Sequence, residues 1–531
     1  MIKRYAVWCT TFLLLIAALI AAVQVSSHYY WAVIFFSALV VLGLYDYNQT
    51  QHSLWRNYPI TAHVRWLLED LRPYLRQYII EDDLGGRPFN RDERGLVYAR
   101  AKGEEDYHPF GTELNVYGHE YEWITQTISP CSPSTEDLRI DIGGPQCSKP
   151  YSASILNISA MSFGSLGGKA IEALNLGAKQ GGFFHDTGEG SISPYHQKHG
   201  GDLVWELGTG YFGCRTNDGQ FDREKFIEKA NLEQVKMIEI KISQGAKPGH
   251  GGVLPGKKVT DELASIRGVE AGKDAVSPSS HSTFSTPIEL MNWVQELREL
   301  SGGKPIGIKL CVGMPHEIFA IIKAMQETNI LLDFIVVDGG EGGTGAAPQE
   351  FTDHLGMPLR EGLIIVRNAL VGSGLKKHIR LGASGKVHSA FSIATNCALG
   401  ADWCNAARAF MFTVGCVQSM KCHTGECPTG VATQDVGRQR GLIVPDKAER
   451  VEKFHKRTLH TLKELLAASG FQHTRELSPC NLYHRLNPIE IKTIDEVFPF
   501  LNENELSDTM KNENYRRWWR MADARSFKPT F

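Results

Sequence analysis

Residues 305–345, PIGIKLCVGMPHEIFAIIKAMQETNILLDFIVVDGGEGGTG, decide the fold of this chain. The apolar segment Pro305–Val312 predicts a buried strand, and Pro315–Glu327 has the apolar spacing of a helix. A second strand-like segment, Leu332–Val337, ends in a run of glycines. A strand, a helix and a second strand in this order predict neighbouring parallel strands joined by a crossover helix.

The same alternation extends in both directions along the chain. Thr286-Pro287-Ile288-Glu289 predicts a helix start, because threonine can cap it, proline suits the first turn and Glu289 completes a capping box. This many strand–helix units favour an α/β fold, a closed (β/α)8 TIM barrel over residues 151–435, with an open doubly wound sheet as the alternative. The other predicted elements are the strands Ile155–Ile158, Val235–Ile242 and His378–Leu381 and the helices Ala170–Lys179, Pro358–Val371 and Lys386–Leu399, the last unit ending near Ala401.

Two uncharged apolar segments, residues 6–25 and 29–45, precede the barrel. Because about 20 apolar residues span a bilayer, residues 1–48 are predicted to form a two-helix transmembrane hairpin in contact with membrane lipid. Basic residues flank both ends of this hairpin; they are Lys3, Arg4, Arg56, Arg65 and Arg72. The positive-inside rule then predicts a multi-pass protein of the cell membrane with its catalytic domain in the cytoplasm. A cleaved signal peptide is the alternative.

The rest of the chain divides into two flanking regions. Residues 49–150 are predicted to be a connector region, and residues 436–531 a helical C-terminal cover of the barrel. The chain carries 56 basic and 59 acidic residues, a net charge of −3. No basic surface is therefore expected to attract nucleic acid, which excludes that class of function.

Three cysteines lie close together in Cys416-Val-Gln-Ser-Met-Lys-Cys422-His-Thr-Gly-Glu-Cys427-Pro428. A cysteine run that ends in Cys-Pro is typical of iron–sulfur clusters. Three ligands are one fewer than a [4Fe–4S] cluster takes, so the spacing predicts a three-iron cluster or a fourth ligand from elsewhere. Zinc, with His423 nearby, and unliganded cysteines are the alternatives.

Glycine-rich loops follow the late strands. Phosphates bind after the last two strands of a barrel, so Gly385 and the pair Gly400-Ala401 are predicted phosphate contacts, unless these glycines only end their strands. Gly339-Gly340 follow Leu332–Val337, but no helix with a spaced acidic residue follows as in a dinucleotide fold. The chain is therefore not expected to bind NAD(P)H through a Rossmann unit, and its electrons must come from a partner.

Four charged or polar residues lie where strands end or point inward. Lys309 alternates with Ile308 and Leu310 and should point into the barrel, toward an anionic ligand or into an internal salt bridge. Glycines surround Lys247 and Glu189, which suggests loops wrapped on a ligand, with Glu189 as an acid or base. His281 is either a proton donor or a polar loop residue.

Several segments together resemble the FMN-binding synthase domain of the glutamate synthase large subunit. The matching strings occur in the family's order over about residues 155–435. They are Ser159-Ala-Met-Ser-Phe-Gly164, Thr187-Gly-Glu-Gly190, Gln244-Gly-Ala-Lys-Pro-Gly249, Leu254-Pro-Gly256, Gly342-Gly-Thr-Gly-Ala346 and the cysteine motif through Gln434. The whole chain resembles the short, membrane-anchored members of this family.

The resemblance implies an FMN-containing barrel with a [3Fe–4S] cluster on Cys416, Cys422 and Cys427. Glu189, Lys247 and Arg267 would then surround the flavin and 2-oxoglutarate, with Lys309 counted among the catalytic residues. The residues implied to hold FMN are Ala160, Met161, Ser162, Gln244, Lys309, Gly339, Gly340, Gly385, Gly400 and Ala401.

The implied reaction is reductive amination of 2-oxoglutarate to glutamate. Ammonia and 2-oxoglutarate form 2-iminoglutarate, and reduced FMN delivers hydride to the imine carbon. The cluster then reduces FMN again with electrons from a separate donor, such as a ferredoxin-like or NAD(P)H-oxidising subunit. Val253 departs from the family's glutamine in Gly-Gly-Gln-Leu-Pro-Gly, which leaves another 2-oxo acid or amine open. A membrane redox relay without amination is the other alternative.

Overall fold

The structure is a computed structural model that describes residues 2–530. The chain forms two compact units, one up to Arg91 and one from Asp92 onward. This boundary falls inside the predicted connector region, residues 49–150.

The regular elements of the first unit are all helices, and its first two long helices form a hairpin. Trp8 Nε1 donates a hydrogen bond to the carbonyl of Val40 (3.2 Å). The indole ring of Trp8 fills the space beside Gly43, where any Cβ would collide with it. The helices of this unit are Ile2–Gln24, Ser27–Tyr29, Tyr30–Asn48, Ser53–Asn57, His63–Leu75 and Arg76–Ile80.

The second unit contains a closed barrel of eight parallel strands. The strands are β1 (Leu156–Ile158), β2 (His185–Asp186), β3 (Leu203–Leu207), β4 (Val235–Lys241), β5 (Ile306–Leu310), β6 (Phe334–Asp338), β7 (Arg380–Ser384) and β8 (Trp403–Ala406). Strand β8 pairs with β1, through Asn405 opposite Asn157, and so closes the ring. The prediction of a (β/α)8 barrel is confirmed, and the open sheet is excluded.

Helices surround the barrel. The helices from Arg91 onward are Arg91–Lys102, Gly168–Gly181, Pro194–Gln197, Arg223–Ala230, Gly256–Lys258, Asp261–Arg267, Pro287–Leu300, Pro315–Thr328, Gln349–His354, Leu359–Gly372, Ala390–Ala398, Arg408–Thr413, Val436–Gln439, Val444–Ala468, Thr474–Glu476, Pro479–Asn481, Ile494–Val497 and Glu513–Met521. The predicted capping box is present: Thr286 accepts from the N–H of Glu289, whose carboxylate accepts from the N–H of Thr286.

Three short antiparallel sheets lie outside the barrel. They pair Glu122–Ile124 with Leu482–Arg485 and Ile491–Thr493, Arg139–Ile142 with Tyr151–Ser154, and Val253–Leu254 with Ala275–Val276. The hairpin of Arg139–Ile142 and Tyr151–Ser154 belongs to the same apolar cluster as barrel residues such as Met237 and Phe334. This hairpin therefore closes the amino end of the barrel and leaves the carboxyl end for chemistry.

The last strand–helix unit differs from the prediction. The helix expected over Lys386–Leu399 begins only at Ala390, because Ser389 caps it and bonds the N–H of Ser392. An eighth strand, β8, then follows at Trp403–Ala406, beyond the predicted end near Ala401.

Candidate functional site

An open cleft lies at the carboxyl ends of the barrel strands. Glycine loops after β4 bring polar side chains to its walls. The lining residues are Glu189, Thr209, Lys241, Ile242, Ser243, Gln244, Gly249, His250, Gly251, Gly252, Pro278 and Ser279. Glu189 and Gln244, two of the predicted site residues, therefore share one cleft.

A carboxylate surrounded by cations forms the centre of this cleft. Glu189 Oε1 lies 3.1 Å from Nζ of Lys241, the last residue of β4. Burial raises the pKa of Glu189, but the charges of Lys241, Arg267 and Lys247 outweigh it and hold that pKa below its ordinary value. Glu189 is therefore ionised at neutral pH. Lys241 was not identified from the sequence, although its alternation with Glu239 on β4 places both in the barrel.

Two further cations complete the group around Glu189. Lys247 Nζ donates to the carbonyl of Ala346 (2.9 Å), and burial lowers the pKa of this amine to about 8. Arg267 donates from Nη2 to the carbonyl of Phe163 (3.0 Å), and its Nε has no partner among residues 2–530. Three buried cations around one carboxylate leave positive charge for an anionic ligand.

The segment predicted to line a flavin contacts Arg267 and the loop that carries Glu189. Arg267 Nη2 lies 3.4 Å from the hydroxyl of Ser162, and the N–H of Met161 donates to the carbonyl of Asp186 (3.2 Å). Gly188 packs so closely on Met161 and Ser162 that a side chain there would collide with their backbone. Ala160, at the start of this segment, is half-buried.

The loops after β6 and β7 fit the phosphate end of a flavin. The N–H of Gly339 donates to the carbonyl of Ser384 (2.9 Å), which brings Gly339 and Gly340 beside Gly385. Gly385 has a φ of +147°, which side chains rarely adopt, so its backbone is open to a close ligand. Arg408, after β8, donates to the carbonyl of Glu341 (2.7 Å) and adds a cation that sequence reasoning missed.

The predicted phosphate contacts Gly400 and Ala401 lie at the wrong end of the barrel. Both precede β8 instead of following a strand: the N–H of Ala401 donates to the carbonyl of Asn396, at the end of the preceding helix. They belong to the amino end, opposite the cleft, and cannot contact a ligand there. The error follows from the unrecognised strand β8.

Lys309 points into the barrel, as its alternation predicts, but toward acidic residues. Its Nζ lies 2.5 Å from Oε2 of Glu206 and 3.7 Å from Oε1 of Glu239. Burial lowers the pKa of Lys309, but the charges of Glu206 and Glu239 raise it well above its ordinary value. The internal salt bridge, the alternative for Lys309, is what the structure contains, so the role assigned to it as a direct flavin contact is not supported by its contacts.

His281 is held as a structural residue. Its Nε2 lies 2.8 Å from the carbonyl of Lys241, and its Nδ1 lies 3.1 Å from the hydroxyl of Tyr211. Burial lowers the pKa of His281 to about 4, so the ring is neutral at pH 7. With both nitrogens engaged, His281 supports Lys241 instead of donating a proton.

The three predicted cluster cysteines are unpaired and interact electrostatically with one another. Burial raises the pKa of Cys427, but bonds from Thr429 and from backbone N–H groups outweigh it and lower that pKa. A ring of donors around one sulfur suits a cluster thiolate. Lys258, missed in the sequence, donates to the carbonyls of Ser165 (3.0 Å) and Cys422 (3.3 Å), and so joins the flavin-side segment to the cysteine loop.

Residues 144–472 match the family described as "Conserved region in glutamate synthase". The chain is 36% identical over 493 residues to the glutamate synthase large subunit-like protein YerD of Bacillus subtilis, covering 85% of this chain and 93% of that protein. It is 34% identical over 321 residues to the archaeal glutamate synthase [NADPH] of Methanocaldococcus jannaschii, covering 60% of each chain.

An active chimera of (S)-mandelate dehydrogenase superimposes with a TM-score of 0.44 at 14% identity, covering 74% of this chain and 98% of that one. This likeness is too distant to bear on the site. The family match and the similarity along most of the YerD chain confirm the resemblance given by the sequence motifs. The chain therefore belongs to the glutamate synthase family of oxidoreductases.

Proposed function

We propose that this protein is an FMN- and iron–sulfur-dependent oxidoreductase that reductively aminates 2-oxoglutarate to L-glutamate. The observation that carries this proposal is the ionised Glu189, which lines the cleft, with Lys241, Lys247 and Arg267 around it. A dicarboxylate needs cations to replace its hydration, and ammonia needs a hydrogen-bond acceptor that holds it near the keto carbon. The family, together with its archaeal NADPH-dependent relative, supports this choice.

Each charged residue has a role in binding or proton transfer. Arg267, whose buried Nε has no partner among residues 2–530, clamps one substrate carboxylate, and Lys247, whose charge acts on Glu189, polarises the keto group. Glu189, held ionised, accepts a hydrogen bond from ammonia and so orients the nitrogen that attacks the keto carbon. Lys241 holds Glu189 in place through their 3.1 Å contact.

The cofactors would occupy the two ends of this site. FMN, which supplies hydride transfer when bound, would lie on Ala160–Ser162, Gln244 and Gly339-Gly340, with its phosphate near Gly385 and Arg408. The half-exposed backbone of Gly385 and the cation of Arg408 fit that phosphate. Cys416, Cys422 and Cys427 would hold a [3Fe–4S] cluster that receives electrons from a separate donor, a ferredoxin-like or NAD(P)H-oxidising subunit.

The N-terminal helices support a membrane anchor for the enzyme. Arg4–Gln24 and Ser27–Asn48 are long and apolar enough to cross a bilayer, and only a small part of each is buried within the protein. Large apolar side chains such as Leu13, Val23 and Trp31 are exposed. We place the hairpin in the cell membrane and the barrel in the cytoplasm, with the signal peptide as the alternative.

An anaerobic experiment tests the proposed reaction. The purified, reduced protein is mixed with 2-oxoglutarate and ammonium, and reoxidation of the flavin is followed by absorbance. Rapid reoxidation that needs both compounds and forms glutamate is expected. No reoxidation from a protein that retains flavin and cluster rejects 2-oxoglutarate as the substrate.

A second substrate class follows from Val253. This apolar residue pairs with Val276 in a short ribbon and comes directly after Gly252, which packs against the carboxylate of Glu189. An apolar side chain at the edge of the site favours a less polar 2-oxo acid. Reoxidation by 2-oxo acids with alkyl side chains, faster than by 2-oxoglutarate, would establish this alternative. Reoxidation by dyes alone would indicate a redox relay.

A further inference from the structure

Four charged side chains fill the middle of the barrel, below the cleft. Asp186, Glu206, Glu239 and Lys309 come from β2, β3, β4 and β5 and are 1%, 2%, 1% and 4% exposed. Carboxylate oxygens of the three acids all lie within 4.8 Å of one another. Barrel interiors are normally filled by branched apolar residues, so this layer departs from the usual packing.

The charges of this layer do not balance if every acid is ionised. The one ammonium is that of Lys309, whose Nζ lies 2.5 Å from Glu206 and 3.7 Å from Glu239. Three carboxylates and one ammonium would leave two uncompensated negative charges in a buried space, which is costly. A divalent cation is not needed to explain the site, because the ammonium of Lys309 already takes that place.

The contacts identify where the missing positive charge is. Carboxylate oxygens of Asp186 and Glu239 lie within 4.8 Å of each other in a buried space, and their repulsion is relieved if one of the two groups carries a proton. Oε1 of Glu239 has no hydrogen-bond donor among residues 2–530. Glu206, by contrast, has the close contact with Lys309. One proton on the Asp186–Glu239 pair therefore satisfies the geometry.

The electrostatic surroundings agree with this placement. Burial, which is the larger cause, and the charge of Glu206 raise the pKa of Asp186 from 3.8 to about 7. Burial and then the charge of Asp186 raise the pKa of Glu239 well above its ordinary value. The other charged groups of the barrel interior are Asp338 on β6, which accepts from the N–H of Gly245 (2.8 Å), and Lys241 on β4, which pairs with Glu189.

We infer that Asp186 and Glu239 share one proton at neutral pH and that this pair is the acid that supplies the cleft. Only the second half of this inference, the role of the pair as an acid, rests on the proposed function. Glu189 is held ionised by its cations and has no proton to donate, so the acid for the imine nitrogen is either Lys247, whose pKa burial lowers to about 8, or this pair.

The pair is placed to supply that acid. Glu239 and Lys241 are two residues apart on β4 and therefore point to the same side of the strand. The carboxylate of Asp186 accepts from the N–H of Gly188 (3.0 Å), next to Glu189. When hydride from the reduced flavin forms the new C–H bond of the amine, the imine nitrogen takes up one proton to form N–H. That proton leaves the pair, which stays doubly ionised beside Lys309 until water returns a proton.

Infrared spectroscopy of the full chain with its cofactors tests the shared proton directly. A protonated carboxyl group has a C=O stretch distinct from that of a carboxylate, and this band shifts in D2O. We expect the band in the parent protein at neutral pH and its loss in both E239Q and D186N. Because Glu317 also has a pKa raised by burial, the parent-minus-variant difference is the quantity to measure.

E122Q is the matched control. Glu122 is a partly buried carboxylate that lies 2.8 Å from His484 Nδ1 and also pairs with Arg360, so its removal should leave the band unchanged. Both E239Q and D186N are made so that the test still holds if one of them fails to fold. A band that stays at parental intensity in both E239Q and D186N, or that is absent from the parent, overturns the shared proton.

Single-turnover reoxidation separates the acid role from the proposed function. In the parent, the rate of flavin reoxidation by 2-oxo acid and ammonium should fall as the pH rises through the raised pKa at which the pair loses its shared proton. In E239Q the rate should be about 100-fold lower and independent of pH in that range. Unchanged rates in E239Q overturn the acid role. A parent that shows the band but no reoxidation by any 2-oxo acid contradicts the proposed function and leaves the shared proton established.

Discussion

Replacing Arg267 by glutamine is the sharpest test of how the cleft binds its substrate. The guanidinium is 4% exposed, contacts Phe163 and Ser162 through Nη2 and lies 5.1 Å from the ring centroid of Phe212. Nε is buried and has no hydrogen-bond partner among residues 2–530, and we expect a substrate carboxylate to supply one. Arg267→Gln removes the charge and this nitrogen but keeps a polar group near Ser162.

The expected loss follows from the contact that is removed. A hydrogen bond to a charged group contributes about 1.5–3 kcal/mol, and each 1.36 kcal/mol is about tenfold in a binding constant. The KM for the 2-oxo acid should therefore rise by roughly 10- to 150-fold. Reduction of an artificial dye, which needs no carboxylate clamp, should change less than about twofold.

The assay is steady-state turnover with 2-oxo acid, beside dye reduction by the same protein. Arg298→Gln is the matched control, because Arg298 is equally buried but pairs with Asp333 (3.1 Å) away from the cleft. That substitution should lower the melting temperature and leave KM unaltered. An unaltered KM in Arg267→Gln, or an equal fall in dye reduction, would refute the clamp.

Four further outcomes are expected. Cys422→Ser should abolish the electron paramagnetic resonance signal of the oxidised cluster while flavin remains, and a full signal would argue against the assigned ligands. Gly385→Ala, at a φ of +147°, should cost about 1–3 kcal/mol and lower the flavin content, whereas Gly313→Ala, where a Cβ meets open space, should not. The pKa of Asp186 in the folded protein, about 7, exceeds its ordinary value of 3.8, so the parent should lose stability relative to D186N as the pH rises from 3.8 to about 7. A difference in melting temperature between the two proteins that stays constant over this pH range would contradict this expectation. The full chain should stay with membranes in alkaline carbonate, and Leu13→Arg, at an exposed apolar position, should weaken that retention by about 2.5–3.5 kcal/mol of insertion energy; release of the parent protein would count against the hairpin.

Local patterns account for the elements that the sequence predicted well. Thr286 and Glu289 mark a helix start through contacts between residues three apart, so the helix Pro287–Leu300 was recognisable without any tertiary information. The alternation around Lys309 likewise indicated the inward direction of its side chain. In both cases the deciding interaction is encoded within a few residues.

The missed features depend on contacts between distant residues. Strand β8, Trp403–Ala406, is short and carries the polar Asn405 on its inner side, so neither length nor apolar alternation marks it as a strand. The Asp186–Glu239 pair unites residues 53 positions apart, and only the register of the barrel strands brings them together. Sequence separation of this kind hides both the acid pair and the partner of Lys309.

The hairpin that closes the amino end of the barrel has a practical consequence for dissecting this protein. The conserved family region begins at residue 144, between the two strands of that hairpin, Arg139–Ile142 and Tyr151–Ser154. A fragment cut at the family boundary would therefore lose Ile142, which is fully buried, and uncover the floor of the barrel. Water would then enter beneath the charged layer from the side opposite the ligand. The autonomous catalytic body must start upstream of Arg139, so the boundary of sequence conservation is not a boundary of folding.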